Sequence, residues 1–167
     1  ALGQPRLTKP TRGFLRAMCH FTGRPRRGLN PGFSRYDPPM RFTKMHGLGN
    51  DFIIFDAPAA GAPGAETFRR LADRYTGIGF DQALMLEPPR KPGTAVYYRI
   101  FNADGREVEQ CGNGARCIAR FLRERNGVTS GDLVLDSPGG LVQTKQQGDR
   151  VSVTMGVPDF NPASLPF

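Results

Sequence analysis

Gln110-Cys111-Gly112-Asn113-Gly114-Ala115-Arg116-Cys117-Ile118-Ala119-Arg120-Phe121-Leu122 is the stretch from which the rest of the chain can be read. Ile118, Phe121 and Leu122 recur at i, i+3 and i+4, while Arg116, Arg120 and Arg123 fall off that stripe, so a helix is expected to begin near Gly112. Cys111 then stands at its N-terminus. The first turn of a helix has unpaired backbone N–H groups and a partial positive charge, which attract anions and favour thiolate over thiol. Gly112 and Gly114 carry no side chains to block those groups, so a carboxylate or phosphate can approach closely. The segment offers a nucleophile or base beside an anion cradle. On its own it also fits the commoner role of a free cysteine, that of a small buried hydrophobe. For Cys117, six residues on and beside the apolar stripe, a core role is the better reading.

Several chemistries are disfavoured by spacing. Cys-x5-Cys is not a usual zinc spacing, and the two histidines, His20 and His46, lie far upstream, so no metal site is expected. Gly112-Asn113-Gly114 lacks the third glycine of a dinucleotide fingerprint. Three cysteines, an odd number, argue against a disulfide scaffold, and no apolar run approaches membrane-spanning length. A soluble, reducing, cytoplasmic setting fits best.

Working outward, the 167 residues suffice for one domain with a core and a tail. Charge places the tail. Residues 1–39 hold Arg6, Lys9, Arg12, Arg16, Arg24, Arg26, Arg27 and Arg35 against Asp37 alone, so seven of the eight net positive charges belong to this leader. It also holds six of the fifteen prolines and no sustained apolar periodicity, and is expected to be disordered. Its single serine fits an organelle transit peptide poorly; Met40 reads as the natural start and residues 1–39 as upstream sequence. The body shows no basic stripe with interleaved aromatics, so neither nucleic acid nor membrane is an expected partner.

The body alternates short strands with two helices. Residues 41–46 and 51–56 flank Gly47-Leu48-Gly49-Asn50 as a hairpin, and Phe52-Ile53-Ile54-Phe55 is apolar on both faces, as in a covered strand. Residues 66–76 place Phe68, Leu71, Ala72 and Tyr75 on one helical face, with Gly77 as the stop. Further strands are expected at 82–87, 96–101, 133–136, 141–145 and 151–155, with a turn at Asn102-Ala103-Asp104-Gly105. The sum is an α+β domain, a strongly curved, mainly antiparallel sheet around one or two helices. Pro158-Asp159-Phe160-Asn161-Pro162 and Leu165-Pro166-Phe167 read as an extended connector at a domain boundary.

Four motifs in order carry a family resemblance: Lys44-Met45-His46-Gly47-Leu48-Gly49-Asn50-Asp51-Phe52, Gly77-Ile78-Gly79-Phe80-Asp81-Gln82, Arg99-Ile100-Phe101-Asn102-Ala103-Asp104-Gly105 and Gln110 to Cys117. Together they resemble the amino-terminal half of diaminopimelate epimerase, over residues 40–167. The resemblance implies one lobe of a two-lobed fold and a cofactor-independent isomerase that interconverts LL- and meso-diaminopimelate for lysine and peptidoglycan precursors. Each lobe of that family supplies one cysteine. It further implies that Cys111 is one acid/base at the substrate α-carbon, and that Asn50, Gln82 and Asn102 bind substrate. Gly112 and Asn113 match the residues that hold the α-carboxylate. The expected partners are the amino-acid substrate, a second lobe that is absent from this chain, and a second copy in a homodimer.

The carry-over makes physical sense. Inverting a stereocentre by proton transfer needs a base on one face and an acid on the other, and two cysteines can serve as thiolate and thiol. Neutral amides orient a doubly zwitterionic substrate without adding net charge, although Asn50 and Asn102 also sit where turns use Asn. Because the second cysteine is missing, the isolated chain is expected to be inactive. Phenazine-biosynthesis-type isomerases share the fold but usually lack a cysteine at this turn. Proline-type racemases share the thiol and differ in the pocket, and a non-catalytic half-domain that binds a partner lobe is a further alternative.

Overall fold

The apolar run Phe52 to Phe55 lies in an interior strand of a sheet that has nine strands among the described residues, and its alternate side chains feed two separate cores. A computed structural model describes residues 17–19, 40–127, 131–156 and 161. Its elements are β1 (Ala17–Cys19), β2 (Phe42–Gly47), β3 (Asn50–Asp56), α1 (Ala65–Ala72), β4 (Gln82–Glu87), β5 (Val96–Asn102), β6 (Glu107–Val108), α2 (Gly112–Asn126), β7 (Gly131–Ser137), β8 (Gly140–Gln147) and β9 (Arg150–Val153). The strands run β1-β2-β3-β4-β5-β7-β8-β9 across the sheet, and β6 pairs with β5.

Six of these pairings are antiparallel and two, β3 with β4 and β5 with β7, are parallel. A parallel pair needs a crossover, and each helix supplies one. The α1 crossover joins β3 to β4 and the α2 crossover joins β5 to β7. The helices cover opposite faces. Ala115, Cys117, Ile118 and Leu122 of α2 pack on Met45, Phe52, Ile54, Leu84, Tyr98, Ile100, Leu135 and Val142. Phe68 and Ala72 of α1 pack on Phe42, Ile53, Phe55, Ala83, Met85 and Phe101, and the Phe68 and Phe101 rings stack at 4.6 Å. Burial of each large side chain stabilises by about 1.5–3 kcal/mol. Because α2 touches β2 and β3 at one end of the sheet and β7, β8 and β9 at the other, the sheet curls around it. The α+β class and the curved sheet wrapped around a central helix are as expected from sequence.

Three local differences have physical causes. The first helix ends at Ala72, not at residue 76, because Asp73 turns its carboxylate onto the N–H groups of Tyr75 and Thr76 and onto the Thr76 hydroxyl. That local capping competes with helix continuation and leaves Tyr75 98% exposed, off the apolar face assigned to it. The stop still requires Gly77, whose absent Cβ would lie 2.3 Å from the Arg70 carbonyl. Residues 17–19, within the leader expected to be disordered, form β1 and pair antiparallel with 42–44 at the open edge of β2. Unpaired edge groups recruit such short strands regardless of apolar pattern. The two-residue β6 had no sequence signal. The expected connector at 158–167 lies outside the described residues apart from Asn161, as does the leader apart from 17–19.

Candidate active site

Period-two alternation puts Asn50, Phe52 and Ile54 on the same face of β3, Gln82, Leu84 and Leu86 on the same face of β4, and Val96, Tyr98, Ile100 and Asn102 on the same face of β5. That face is the one α2 covers. Strands β3 and β4 are parallel and begin at Asn50 and Gln82, whereas β5 is antiparallel to β4 and ends at Asn102. The three amides therefore meet at one end of the sheet. Gln82 and Asn102 are direct register partners, and Gln82 Nε2 donates to Asn102 Oδ1 at 2.8 Å. Gln82 Oε1 is buried without a partner among the described residues, an acceptor in need of a donor.

The N-terminus of α2 lies over the same end. Cys111 is the N-cap, in extended conformation, and its Sγ accepts the Gly114 N–H at 3.4 Å. The first intrahelical bond runs from Ala115 N–H to the Cys111 carbonyl, so the N–H groups of Gly112 and Asn113 precede the helical ladder. Asn50 Oδ1 lies 3.9 Å from Cys111 Sγ. Asn113 turns its carbonyl oxygen to Arg116. Glycines allow this approach. A Cβ at Gly47 would come within 3.3 Å of Asn113, and one at Gly114 within 3.1 Å of Leu84. The hairpin joining β2 to β3 reaches the site through a Leu48-Gly49 turn with positive φ at both residues, and Leu48 is 89% exposed at its tip.

Cys117 is fully buried, and burial pushes its thiol up to about 12, with the charge of Cys111 adding to the effect and Arg116 opposing it. It is a core residue, as its position on the helix implied. Burial likewise raises the phenol of Tyr98, on the sheet face that α2 covers; Ser137 opposes that shift and the charge of Cys111 reinforces it.

The structure adds a charged cluster that sequence reasoning missed. Asp81 Oδ2 accepts from Asn50 Nδ2 at 2.9 Å and from the Asp51 N–H at 2.8 Å. Arg74 bridges Asp81 and Asp51, at 2.8 Å to each, and Lys44 Nζ lies 3.7 Å from Asp51. Burial alone would raise the Asp81 carboxyl, but the bonds from Asn50, Asp51 and Arg74 outweigh it and hold the group below the usual carboxylate range. Asp81 had a signal, being the neighbour of Gln82 in its motif. Arg74 had none, because it sits in the turn after α1 and reaches the site only through tertiary folding.

Comparison with known proteins decides the family. The profile described as diaminopimelate epimerase matches residues 42–161. The chain belongs to the diaminopimelate epimerase family. The family's fold recurs in a hydroxyproline epimerase from Agrobacterium vitis with bound trans-4-hydroxy-L-proline, at a TM-score of 0.54 and 17% identity. It recurs also in a probable proline racemase from Agrobacterium radiobacter K84, at a TM-score of 0.52 and 19% identity. Each likeness covers 70% of this chain and 41% of the other, so the chain spans about two fifths of the length of these solved relatives. Among the described residues no helix is long and apolar enough to cross a membrane, and no three His, Cys, Asp or Glu side chains group as a metal site.

Proposed function

We propose that this chain carries one half of a pyridoxal-independent amino-acid epimerase that interconverts LL- and meso-diaminopimelate, with Cys111 as the acid/base on one face of the α-carbon. The reading rests chiefly on one observation. The Cys111 thiol caps α2 and faces Asn50 at the sheet end where Gln82 and Asn102 also converge. An α-proton beside a carboxylate is weakly acidic, so the charge developing on its removal needs preorganised donors. The Gly112 and Asn113 N–H groups and the positive end of α2 are placed to supply them to an α-carboxylate. Asn50, Gln82 and Asn102 orient the rest of the substrate by hydrogen bonding, and the buried Gln82 Oε1 is an acceptor suited to an ammonium group.

Inversion needs a second acid/base on the opposite face. In this reading a second lobe provides it, in keeping with the two fifths of the solved relatives' length that the chain matches. The complete enzyme is then a cytoplasmic homodimer that needs no cofactor.

The test is to incubate LL-diaminopimelate in D2O with the polypeptide alone and with the polypeptide co-expressed with the carboxy-terminal lobe of a family member. Formation of deuterated meso product only in the second case, reduced by about 10²–10⁴-fold in Cys111→Ser, is the expected result. Undiminished turnover by Cys111→Ser, or turnover of hydroxyproline and not diaminopimelate, would overturn it.

A further inference from the structure

We propose that Asp81 is a positioning residue that fixes which atom of the Asn50 side chain faces the Cys111 thiol. The proposal rests on the reading of Cys111 as the reacting group. An ionised carboxylate only accepts hydrogen bonds, so the part of Asn50 that meets it must be the NH2 group. Asn50 Nδ2 donates to Asp81 Oδ2 at 2.9 Å, and the carbonyl oxygen at the other side of that planar amide is left 3.9 Å from Cys111 Sγ. The carboxylate thus distinguishes the two ends of the amide.

Asp81 is itself held from several directions. Its backbone N–H donates to the Asp51 carbonyl at 3.0 Å, and its carbonyl accepts from the Ala103 N–H at 3.1 Å, which ties the start of β4 to β3 and to the turn after β5. Its second oxygen takes Arg74 at 2.8 Å, and the same guanidinium holds Asp51. The carboxylate is therefore aimed by backbone on two sides and by one nitrogen of a guanidinium whose other nitrogen holds Asp51. That rigidity is what a residue acting through another residue needs.

The consequence falls on the thiol. As S–H, Cys111 can donate to Asn50 Oδ1 while its sulfur accepts the Gly114 N–H, so both local bonds are made. As thiolate it keeps the Gly114 bond but faces an oxygen lone pair. Asp81 thus presents the Cys111 sulfur with an acceptor, which an S–H can use and a thiolate cannot. If Asn50 turned its NH2 to the sulfur, both that group and the Gly114 N–H would donate to it. The charged or titratable groups around this contact include Asp81, Asp51, Arg74, Lys44 and His46, the register partner of Asp51, together with Tyr98 on the sheet and Cys117 and Arg116 on α2.

The experiment is a double-mutant cycle read by iodoacetamide labelling of Cys111 at fixed pH, with the labelled peptide quantified by mass spectrometry and protection of Cys117 reporting that the core is intact. Asp81→Ala is expected to speed Cys111 labelling on the order of tenfold, the size of one charge-assisted hydrogen bond gained by the thiolate. In an Asn50→Ala background the same substitution is expected to change the rate less than about twofold, because the amide it acts through is gone. Asp81→Asn, which keeps the shape, provides the comparison should Asp81→Ala expose Cys117. An equal effect of Asp81 substitution with and without Asn50, or no effect while Cys117 stays protected, would overturn the proposal. Loss of Asn50–Asp81 coupling with Cys111 still essential for turnover would sink the positioning role alone. Intact coupling with Cys111→Ser fully active would sink the functional reading alone.

Discussion

The two ends of α2 are finished differently. At the C-terminus Gly127 adopts the left-handed conformation and its N–H reaches the Arg123 and Glu124 carbonyls. Buried Arg123 donates to the Gly131 carbonyl and to Gln146, Arg120 pairs with Glu124 and Asp149, and Arg125 pairs with Asp56. Apart from the Arg120–Glu124 pair within the helix, these contacts tie α2 to β3, β7, β8 and the turn before β9. At the N-terminus the first turn holds no acidic side chain, two of its first three residues are glycine, and the cap is a thiol. The closed end is bonded to the rest of the protein, and the open end leaves the Gly112 and Asn113 N–H groups ahead of the helical ladder. One helix can do both because its carbonyl end is satisfied by the protein and its N–H end is not.

The largest test of this contrast compares the two cysteines of the helix. Native protein treated with iodoacetamide at neutral pH is expected to label Cys111 at least about a hundredfold faster than Cys117, because raising a thiol from 9.0 to about 12 cuts its thiolate fraction roughly a thousandfold. Labelling at similar rates, measured by peptide mass spectrometry, would show that the second turn of α2 is not sealed.

Next in size is the effect of one methyl group at each end. Gly127→Ala forces an L side chain into φ +68 and is expected to lower the urea-unfolding free energy by about 1 kcal/mol. Gly112→Ala meets the Met155 sulfur at 2.9 Å, the far end of a flexible, half-exposed side chain, so its cost is expected to be below about 0.5 kcal/mol. If Gly112 holds a carboxylate as proposed, the same methyl is also expected to weaken diaminopimelate binding, read by calorimetry. Equal destabilisation by the two substitutions would erase the distinction between the ends.

The smallest effect is on pH dependence. Asp81 titrates below the usual carboxylate value in the folded protein, so its ionised form contributes stability above about pH 3.8. That contribution is lost as pH falls through the lower folded value. Urea-unfolding free energies of the parent chain and Asp81→Asn are therefore expected to differ at pH 7, by at most about 1 kcal/mol for this part-exposed network, and to converge as the pH falls below the usual carboxylate range. A gap that widened on acidification would place the Asp81 contribution elsewhere.

Much of this was legible in the residues. The helix start at Gly112, the core role of Cys117, the covered strand at Phe52 to Phe55 and the 82–87 strand all follow from period and local chemistry, which do not depend on distant contacts. The length of α1 was misread because apolar period continued through Tyr75 while the Asp73 cap had already ended the helix. The parallel pairings and the β1 strand were not readable, since pairing partners depend on which edges the crossovers leave adjacent.

By itself the sequence determined where α2, the start of α1 and most of the longer strands run and which thiol caps a helix, because hydrophobic period, glycine placement and capping act within a few residues. Only the tertiary structure decided that Asn50, Gln82 and Asn102 meet, that Cys111 faces Asn50, and that Arg74 and Asp81 stand behind it. Those residues lie on separate strands and turns, and the sense in which each strand crosses the sheet, set by two helical crossovers, brings their ends together.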